Sequence, residues 1–240
     1  WNPLAAPKVV SGDRLLTVLA YLGSEAAQAA PGTVLSHDGD TALIAATDAA
    51  VRLQFAGELP PVGTVIAALS AQDRARLPGL ADGAAKHDGW WRKRLAAMNP
   101  AVLPGEASGQ SARLGLMPGA APERIALAAS LLARLAGQTE FDLALRPQGQ
   151  VQAPGIVADW QPVSVSVSGD RSLSDLGQAL ADQIAAQAKR GFFLTDLLHR
   201  APELREVATP DLAISLADQG PVPGAALTVT LTEGAAHLDH

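Results

Sequence analysis

One apolar helical segment constrains the fold more than any other stretch of the chain. Residues 125–136 are apolar apart from Ser130 and Arg134. Pro122 stands where the first turn of a helix tolerates proline, and Gly137 stands where a left-handed residue commonly ends one. Because a helix that is apolar on most sides must be covered on more than one side, the sequence predicts a layered domain with this helix between layers.

The segments around this helix alternate between strand-like and helix-like patterns, which indicates a layered α/β lobe. A second helix is predicted over residues 174–190, with Ser172 and Asp175 forming a capping box and a stripe of Leu173, Leu176, Leu180, Ile184 and Ala188. A short helix is predicted at 196–200. The predicted strands cover residues 111–117, 141–145, 163–167, 212–216 and 226–231.

The first seventy residues have a different pattern, typical of short β-strands. The Asp38-Gly39 pair lies between two apolar runs, which is a strong hairpin signal. Val51, Leu53 and Phe55 alternate with polar residues, so that we expect all three to face a core. Several short strands at this spacing predict a small β-barrel. Residues 71–89 are polar and contain glycine, and we interpret them as a linker with at most one short helix.

Composition excludes several classes of function. The formal net charge is −6 and the isoelectric point is about 5.3, which disfavours nucleic acid and anionic membranes as partners. The chain has no cysteine, so thiolate chemistry and disulfides are excluded and a cytoplasmic location is expected. No apolar run reaches the roughly 18 residues that a membrane span needs. The first residues, Trp1-Asn2-Pro3, predict a cut inside a longer polypeptide.

A series of motifs in the second half resembles the condensation domains of nonribosomal peptide synthetases. Residues 125–138 resemble a helix of that family that ends in "L-A-R-L-x-G-Q", and residues 141–145 resemble the strand that follows it. The run Lys189-Arg-Gly-Phe-Phe-Leu-Thr-Asp-Leu197 is similar to a "K-R-G-x-F-x-x-D-L" motif, and Trp90-Trp-Arg-Lys-Arg-Leu95 is similar to a "Y-W-x-x-x-L" helix. The resemblance covers about 150 residues and implies one lobe of a chloramphenicol-acetyltransferase-like fold.

The same resemblance implies an active site in a tunnel between two lobes, where an acyl thioester on one carrier protein meets an amine on another. The catalytic His-His-x-x-x-Asp-Gly motif of the family belongs to the other lobe and is absent from this sequence. Two His-Asp-Gly triplets occur, at residues 37–39 and 87–89, but neither has the preceding histidine or the spacing. We predict that both triplets lie in turns. The "D-F-G-W-G" signature of the lobe is also absent.

The first residues resemble a different family. Gly12-Asp-Arg-Leu-Leu16 and Pro31-Gly-Thr-Val-Leu35 are similar to the C-terminal barrel of methionyl-tRNA formyltransferase and related formyltransferases. The resemblance implies that the catalytic Asn-His-Asp set belongs to a preceding domain. Residues 1–70 carry three basic and six acidic side chains, a net charge of −3, which argues against binding of tRNA.

Together these resemblances predict an α+β chain in three parts. Residues 1–70 form a small OB-like β-barrel subdomain, 71–89 a linker, and 90–240 the condensation-like α/β lobe. The predicted function is a non-catalytic connector in a formylating module of a peptide synthetase, linking a formyltransferase domain to an adenylation domain. The alternatives are half of an acyl-transfer site completed by another lobe or chain, and a docking surface for a carrier protein. Formyl-tetrahydrofolate and carrier-bound phosphopantetheine are implied for the parent protein.

No residue of this chain is predicted to be catalytic, to bind a cofactor or to bind a metal. Five cations are candidates for contact with a neighbouring domain or carrier protein: Arg92, Lys93, Arg94, Lys189 and Arg190. A helix is predicted over residues 90–98 with Arg92, Lys93 and Arg94 on its solvent side, and solvated helix faces are the alternative for all five cations. His199 could touch phosphopantetheine or be a surface histidine, and His237, Asp239 and His240 could be metal ligands or an ordinary chain end. We expect Asp142 at a strand edge and Asp196 as a helix cap.

Overall fold

The computed structural model describes residues 6–12, 14–56, 59–103, 111–115, 119–148, 156–167, 169–216, 220–232 and 235–239. The chain divides into two compact units. Unit 1 contains Trp1–Lys86, Val151–Ala158 and Phe193–Pro202, and unit 2 contains His87–Gln150, Asp159–Phe192 and Glu203–His240.

The elements of unit 1 come mainly from the first part of the chain. They are β1 (Lys8–Ser11), β2 (Arg14–Glu25), β3 (Val34–Asp38), β4 (Thr41–Ala45), β5 (Ala50–Ala56), β6 (Ala67–Ala68) and α1 (Ala71–Ala85). Unit 2 follows with α2 (Asp88–Ala96), β7 (Ser111–Gly115), α3 (Ala121–Ala136), β8 (Glu140–Arg146), β9 (Gln161–Ser166) and α4 (Leu173–Ala188). The short α5 (Leu197–Arg200) returns to unit 1, and β10 (Leu212–Ser215), β11 (Leu227–Leu231) and β12 (Ala236–Asp239) complete unit 2.

The strands of unit 1 form one six-stranded sheet in the order β3-β4-β5-β2-β1-β6, with antiparallel neighbours. The predicted closed barrel is wrong, because the described strands form an open sheet with β3 and β6 at its two edges. Among the described residues, its two ends meet at an isolated bridge between Thr33 and Val65. The backbone bonds there run from Val34 N–H to Thr64 O (2.9 Å), from Gly63 N–H to Val34 O (2.8 Å) and from Ile66 N–H to Gly32 O (2.8 Å). The chain thus curls the sheet without a continuous pairing of its edge strands.

The core of unit 1 confirms the alternation in β5. Phe55 is buried, and Val51 and Leu53 are packed against the same cluster. The buried members of that cluster are Leu16, Val34, Ala42, Ile44, Phe55, Leu59 and Ile66.

The segment predicted as a linker contains a longer helix than expected. Helix α1 has 15 residues and includes Pro78. The polar residues and glycines of this segment suggested a loop, but its alanines have the highest helix propensity of any residue and favour a helix there. The prediction of at most one short helix is therefore corrected.

Unit 2 is built on a second six-stranded sheet, in the order β7-β12-β11-β10-β8-β9. Strand β10 is parallel to both of its neighbours, β8 and β11, and the other pairs are antiparallel. Helix α3 buries Ala126, Ala128, Ala129 and Leu132 in the core, in line with the prediction for this helix. Helix α4 packs against α3, where a Cβ on Gly177 would lie 2.7 Å from the carbonyl oxygen of Pro122. The two helices therefore approach as closely as only glycine permits.

The ends of these helices follow the sequence signals. Gly137 has a φ of 65° at the end of α3. At the start of α4, the Asp175 N–H donates to Ser172 Oγ (3.1 Å), as the predicted cap requires. The predicted capping box is only partly formed, because the Asp175 carboxylate accepts from the Ser172 hydroxyl (2.7 Å).

The predicted stripe of α4 is confirmed only in its middle. Leu176 and Leu180 are buried and Ile184 is partly buried in the core, whereas Leu173 is 44% exposed and Ala188 is exposed. In the last turn, Gln187 takes the buried position instead. The last part of α4 therefore buries an amide.

Within the described ranges, no helix combines the length and the apolar character that crossing a membrane requires. The end of the strand predicted at 111–117 lies outside the residues that the structure describes.

Candidate functional site

Two of the predicted contact residues, Arg92 and Lys93, lie on the exposed face of α2. The Arg92 guanidinium pairs with Glu203, with Nε donating to Oε1 at 2.7 Å. The backbone amide of Glu203 itself, and then the Arg92 side chain, hold the pKa of this carboxyl below its usual value. Arg92 thus has an acidic partner within unit 2, although both side chains remain accessible.

The cations at the end of α4 lie close to the start of α2. The Arg190 guanidinium carbon lies 4.5 Å from the ring centroid of Trp90, in cation–π geometry, and Arg190 also donates to the carbonyl oxygen of Ala186 (2.7 Å). Trp90 in turn packs edge-on against Trp91, with ring centroids 4.7 Å apart. Lys189, beside Arg190, is exposed. The structure therefore brings the two predicted groups of cations to one region of unit 2, which we call the α2–α4 cationic surface (Arg92, Lys93, Lys189 and Arg190).

Arg94 does not belong to this surface, which corrects the prediction that it lies on the solvent side of α2. Its side chain is only 16% exposed and pairs with Asp142 at 2.6 Å. The same guanidinium donates to Ser164 Oγ at 3.0 Å. The sequence pattern suggested three equivalent cations on one helix, but the third points towards the sheet of unit 2. Its role as a carrier contact stays a prediction that this geometry does not favour.

Asp142 lies in the interior of the sheet and not at an edge, which also corrects the sequence prediction. It belongs to β8, between β9 and β10, and is 4% exposed. Its carboxylate accepts from the Asn99 N–H (2.7 Å) and from the Ser164 hydroxyl (2.6 Å), in addition to Arg94. Together, Arg94, Asp142 and Ser164 form what we call the Asp142 cluster.

The electrostatics of the Asp142 cluster favour the ionised carboxylate. Burial alone would raise the pKa of Asp142, but hydrogen bonds from Arg94, Ser164 and the Asn99 amide, together with the Arg94 charge, hold that pKa below its usual value. A general base works best when its pKa is near the working pH. Asp142 is therefore ionised near neutral pH and is a weak base, and its geometry is that of a structural contact.

A second buried cation, Arg146, was not recognised in the sequence. It ends β8, is 5% exposed, and forms an ion pair with Asp159. Its Nη1 donates to the carbonyl oxygens of Gly220 (3.4 Å) and Pro221 (3.1 Å). The sequence signal for it is an arginine that directly ends an apolar strand. Such an arginine lies next to the core, and a buried charge is costly unless it has a partner.

The histidine triplets occupy a hairpin and a helix start. His37 and Asp38 end β3, and Gly39 has a φ of 57° in the turn before β4. His87 precedes α2 without a side-chain capping bond, and Asp88 and Gly89 belong to the helix itself. Gly39 and His87 therefore lie in turns, as predicted. The other four residues do not, because His37 and Asp38 belong to β3 and Asp88 and Gly89 belong to α2.

The other candidates have local roles. His199 is exposed on α5, and Asp196 precedes that helix without a side-chain capping bond, contrary to the prediction; its carboxylate instead pairs with Arg200 at 3.2 Å. His237 and Asp239 lie in β12, a strand that the sequence did not predict, and Asp239 accepts from the Thr230 hydroxyl (3.3 Å). His240 lies outside the described residues.

The part of the chain that the structure describes contains no group of three or more His, Asp or Glu side chains placed to hold a metal ion. The predictions about catalytic, cofactor and metal residues remain predictions of the sequence.

No protein-family model matches the chain, and no curated protein matches it. Among solved structures, it is similar to the starter condensation domain of the rhizomide synthetase RzmA, with a TM-score of 0.49 and 18% identity over 70% of this chain and 47% of that chain. It is also similar to the first condensation domain of the calcium-dependent antibiotic synthetase in complex with a substrate analogue, with a TM-score of 0.48 and 16% identity over 72% of this chain and 48% of that one. The chain thus spans about half the length of these domains.

Proposed function

We propose that this chain is a non-catalytic connector in a formylating initiation module of a cytoplasmic nonribosomal peptide synthetase. In this proposal, residues 1–70 are the OB-like C-terminal subdomain of a formyltransferase, and residues 90–240 are a condensation-like lobe that positions the next domain, an adenylation domain. The parent protein would use formyl-tetrahydrofolate and a phosphopantetheine carrier, and this chain would bind neither cofactor.

The observation that carries the proposal is the state of the Asp142 cluster. The buried carboxylate of unit 2 is fully engaged with Arg94, Ser164 and the Asn99 amide, and its pKa is lowered. A group held in this way stabilises the lobe and does not transfer protons near neutral pH. The sequence also lacks the His-His-x-x-x-Asp-Gly motif that condensation domains use for catalysis.

The motif that resembles formyltransferases has a structural task in unit 1. In Pro31-Gly-Thr-Val34, Gly32 has a φ of 88°, and a Cβ on it would lie 2.3 Å from the carbonyl oxygen of Ile66. Val34 is completely buried in the core of the unit. These requirements explain why glycine stands at position 32 and an apolar residue at position 34, and they support a role of this motif in the packing of the unit 1 sheet.

The α2–α4 cationic surface is the proposed contact with an acidic neighbour. Lys93 and Lys189 are exposed. On the same surface, Arg92 pairs with Glu203 and the Arg190 guanidinium stacks on Trp90. Opposite charges across an interface accelerate association and fix orientation. An acidic carrier protein or an acidic patch on an adenylation domain would meet this requirement, whereas nucleic acid is disfavoured by the net charge of −6.

An activity measurement tests the proposal directly. The chain is mixed with an acyl-loaded donor carrier protein and an aminoacyl-loaded acceptor carrier protein, and amide product is followed by mass spectrometry beside a complete condensation domain. We expect product only with the complete domain. Product formed by this chain alone would contradict the connector role and favour the acyl-transfer alternative.

A binding measurement tests the cationic surface separately. Lys93→Glu combined with Lys189→Glu should weaken binding of the acidic carrier or adenylation domain by at least about tenfold at low salt, because rim charges mainly set the association rate. The matched control is Arg134→Glu combined with Arg205→Glu, which changes the net charge equally at two other exposed positions of unit 2. Equal weakening in both variants would show that only net charge matters.

A further inference from the structure

Both backbone groups of one residue in the edge strand β9 are bonded to a single side chain. The Ser164 N–H donates to Gln183 Oε1 at 2.7 Å, and Gln183 Nε2 donates to the carbonyl oxygen of Ser164 at 3.3 Å. Strand β9 is the last strand of its sheet, so that, among the described residues, no neighbouring strand pairs with these backbone groups. The carboxamide of Gln183 thus takes the place that the backbone of a further strand would occupy.

The same edge is covered on both sides of Ser164. Gln187 Nε2 donates to the carbonyl oxygen of Pro162 at 2.8 Å, and Arg171 Nη1 donates to that of Ser166 at 3.3 Å. In an antiparallel pair, alternate residues bond to the partner strand, and Val167 N–H donates to Thr139 O next to β8. The even-numbered residues of β9 therefore direct their backbone groups outwards, and all three of them are reached by a side chain.

The spacing of the two glutamines fits the spacing of the strand. Residues four apart on a helix lie about 6 Å apart along its axis, and alternate residues of a strand lie about 6.8 Å apart. Gln183 reaches Ser164, and Gln187 reaches Pro162. Helix α4 thus runs antiparallel to β9 and presents one amide to Ser164 and one to Pro162. Gln187 is 2% exposed, and burial of an amide is costly unless it makes such a bond.

We infer that Gln183 and Gln187 close the edge of β9 to further strands, and that they prevent a second copy of this chain from pairing there. Strand β9 has no charged residue, so that it lacks the charges that commonly protect an edge. Without the amides, two copies could pair antiparallel about Ser164, each Ser164 N–H donating to the Ser164 carbonyl of the other. Two further bonds would join Ser166 N–H to Pro162 O in each direction. Pro162 itself lacks an N–H, as is common at sheet edges.

The experiment replaces both amides by apolar side chains of similar size, Gln183→Leu with Gln187→Met, and the control is Gln178→Leu. Gln178 lies on the same helix and bonds only to Asp182 in the described structure. At concentrations low enough to keep the double variant monomeric, we expect hydrogen exchange at the Ser164 amide to accelerate by at least about tenfold, because one stabilising bond is lost, while Val163 and Val165 stay protected. Sedimentation velocity should show a concentration-dependent dimer only for the double variant.

A third variant separates edge protection from the hydrogen bonds themselves. Gln183→Glu keeps an acceptor for the Ser164 N–H and adds a charge at the edge, so that this variant should remain a monomer. If the double variant fails to fold, as judged by tryptophan fluorescence, Gln183→Leu alone decides the question by the same exchange and sedimentation measurements. Unchanged Ser164 exchange in the dilute monomer, or the absence of a dimer at the highest soluble concentration, would overturn the inference.

Discussion

The two units use the same kind of ion pair in opposite settings. In unit 1, Arg52 and Glu25 pair at 3.3 Å on the outside of the sheet, with 41% and 53% of their side chains exposed. In unit 2, Arg94 and Asp142 pair at 2.6 Å with 16% and 6% exposed. Exposed pairs contribute little because water screens them, whereas removal of one partner from a buried pair leaves an uncompensated charge. Burial, more than the identity of the partners, therefore decides what each pair contributes.

The largest expected effect is that of Asp142→Ala. It leaves the Arg94 guanidinium buried without its carboxylate, and breaking a buried pair in this way costs about 3–5 kcal/mol. Three of the four tryptophans, Trp90, Trp91 and Trp160, belong to unit 2. Urea unfolding followed by tryptophan fluorescence, in a Trp1→Phe background, therefore measures this loss in unit 2. A loss below about 1 kcal/mol, the range of exposed pairs, would remove the contrast between the units.

The same pair predicts a dependence of stability on pH. Because the pKa of Asp142 is lowered in the folded chain, its contribution is fully present above the unfolded pKa of about 3.9 and is lost as the pH falls through the folded pKa. The difference in unfolding free energy between the wild type and Asp142→Asn should be constant from pH 7 to about 5 and should shrink below about pH 4. A constant difference down to low pH would contradict this account of the pair.

An intermediate effect is expected for Gly177→Ala. The added methyl would lie 2.7 Å from the carbonyl oxygen of Pro122, so that α3 and α4 must separate. Overpacking of this kind costs about 1–3 kcal/mol. Gly169→Ala is the control, because a Cβ at Gly169 meets no atom within 4 Å. The unfolding midpoints of both variants in urea measure the difference, and equal midpoints would show that the two helices can adjust.

The smallest effect is expected for Arg52→Gln in unit 1. The substitution removes the exposed pair with Glu25 and should change the free energy of unfolding by less than about 1 kcal/mol. Circular dichroism of the β-sheet signal during urea unfolding provides the measurement, in low and in high salt. A larger loss, insensitive to salt, would mean that this pair behaves like the buried one in unit 2.

Local signals in the sequence predicted the helices of unit 2 well. Gly137 at the end of α3 and Ser172 at the start of α4 act within one turn of their own helix, so that neighbouring residues suffice to recognise them. The strands β1 and β12 were not predicted, because each has only four residues and each pairs on one side with a segment distant in sequence, β6 and β7 respectively. The full length of the helix over residues 71–85 was not predicted, because its glycines and Pro78 favour a loop whereas its alanines favour a helix.

The residues of the candidate site meet through contacts between distant parts of the chain, which local sequence patterns do not predict. Arg94 and Asp142 are 48 residues apart, and nothing near either one indicates that they meet. Three consecutive cations on α2 suggested a single solvated face, but a helix turns by about 100° per residue. The third cation therefore points to a different side. The position of Asp142 in the sheet likewise follows from its neighbours β9 and β10, which the sequence predicted as strands without their order.

The order of strands in unit 2 has a consequence for the synthesis of the chain. Strand β7, at residues 111–115, pairs with β12, at residues 236–239, and β8 pairs with β10 across more than sixty residues. Pairing between such distant segments closes large loops and slows folding. On the ribosome, β7 would stay unpaired until residues 236–239 had emerged, and it would meanwhile be exposed to chaperones and to aggregation. The sheet of unit 1, made from residues 8–68, could be complete much earlier.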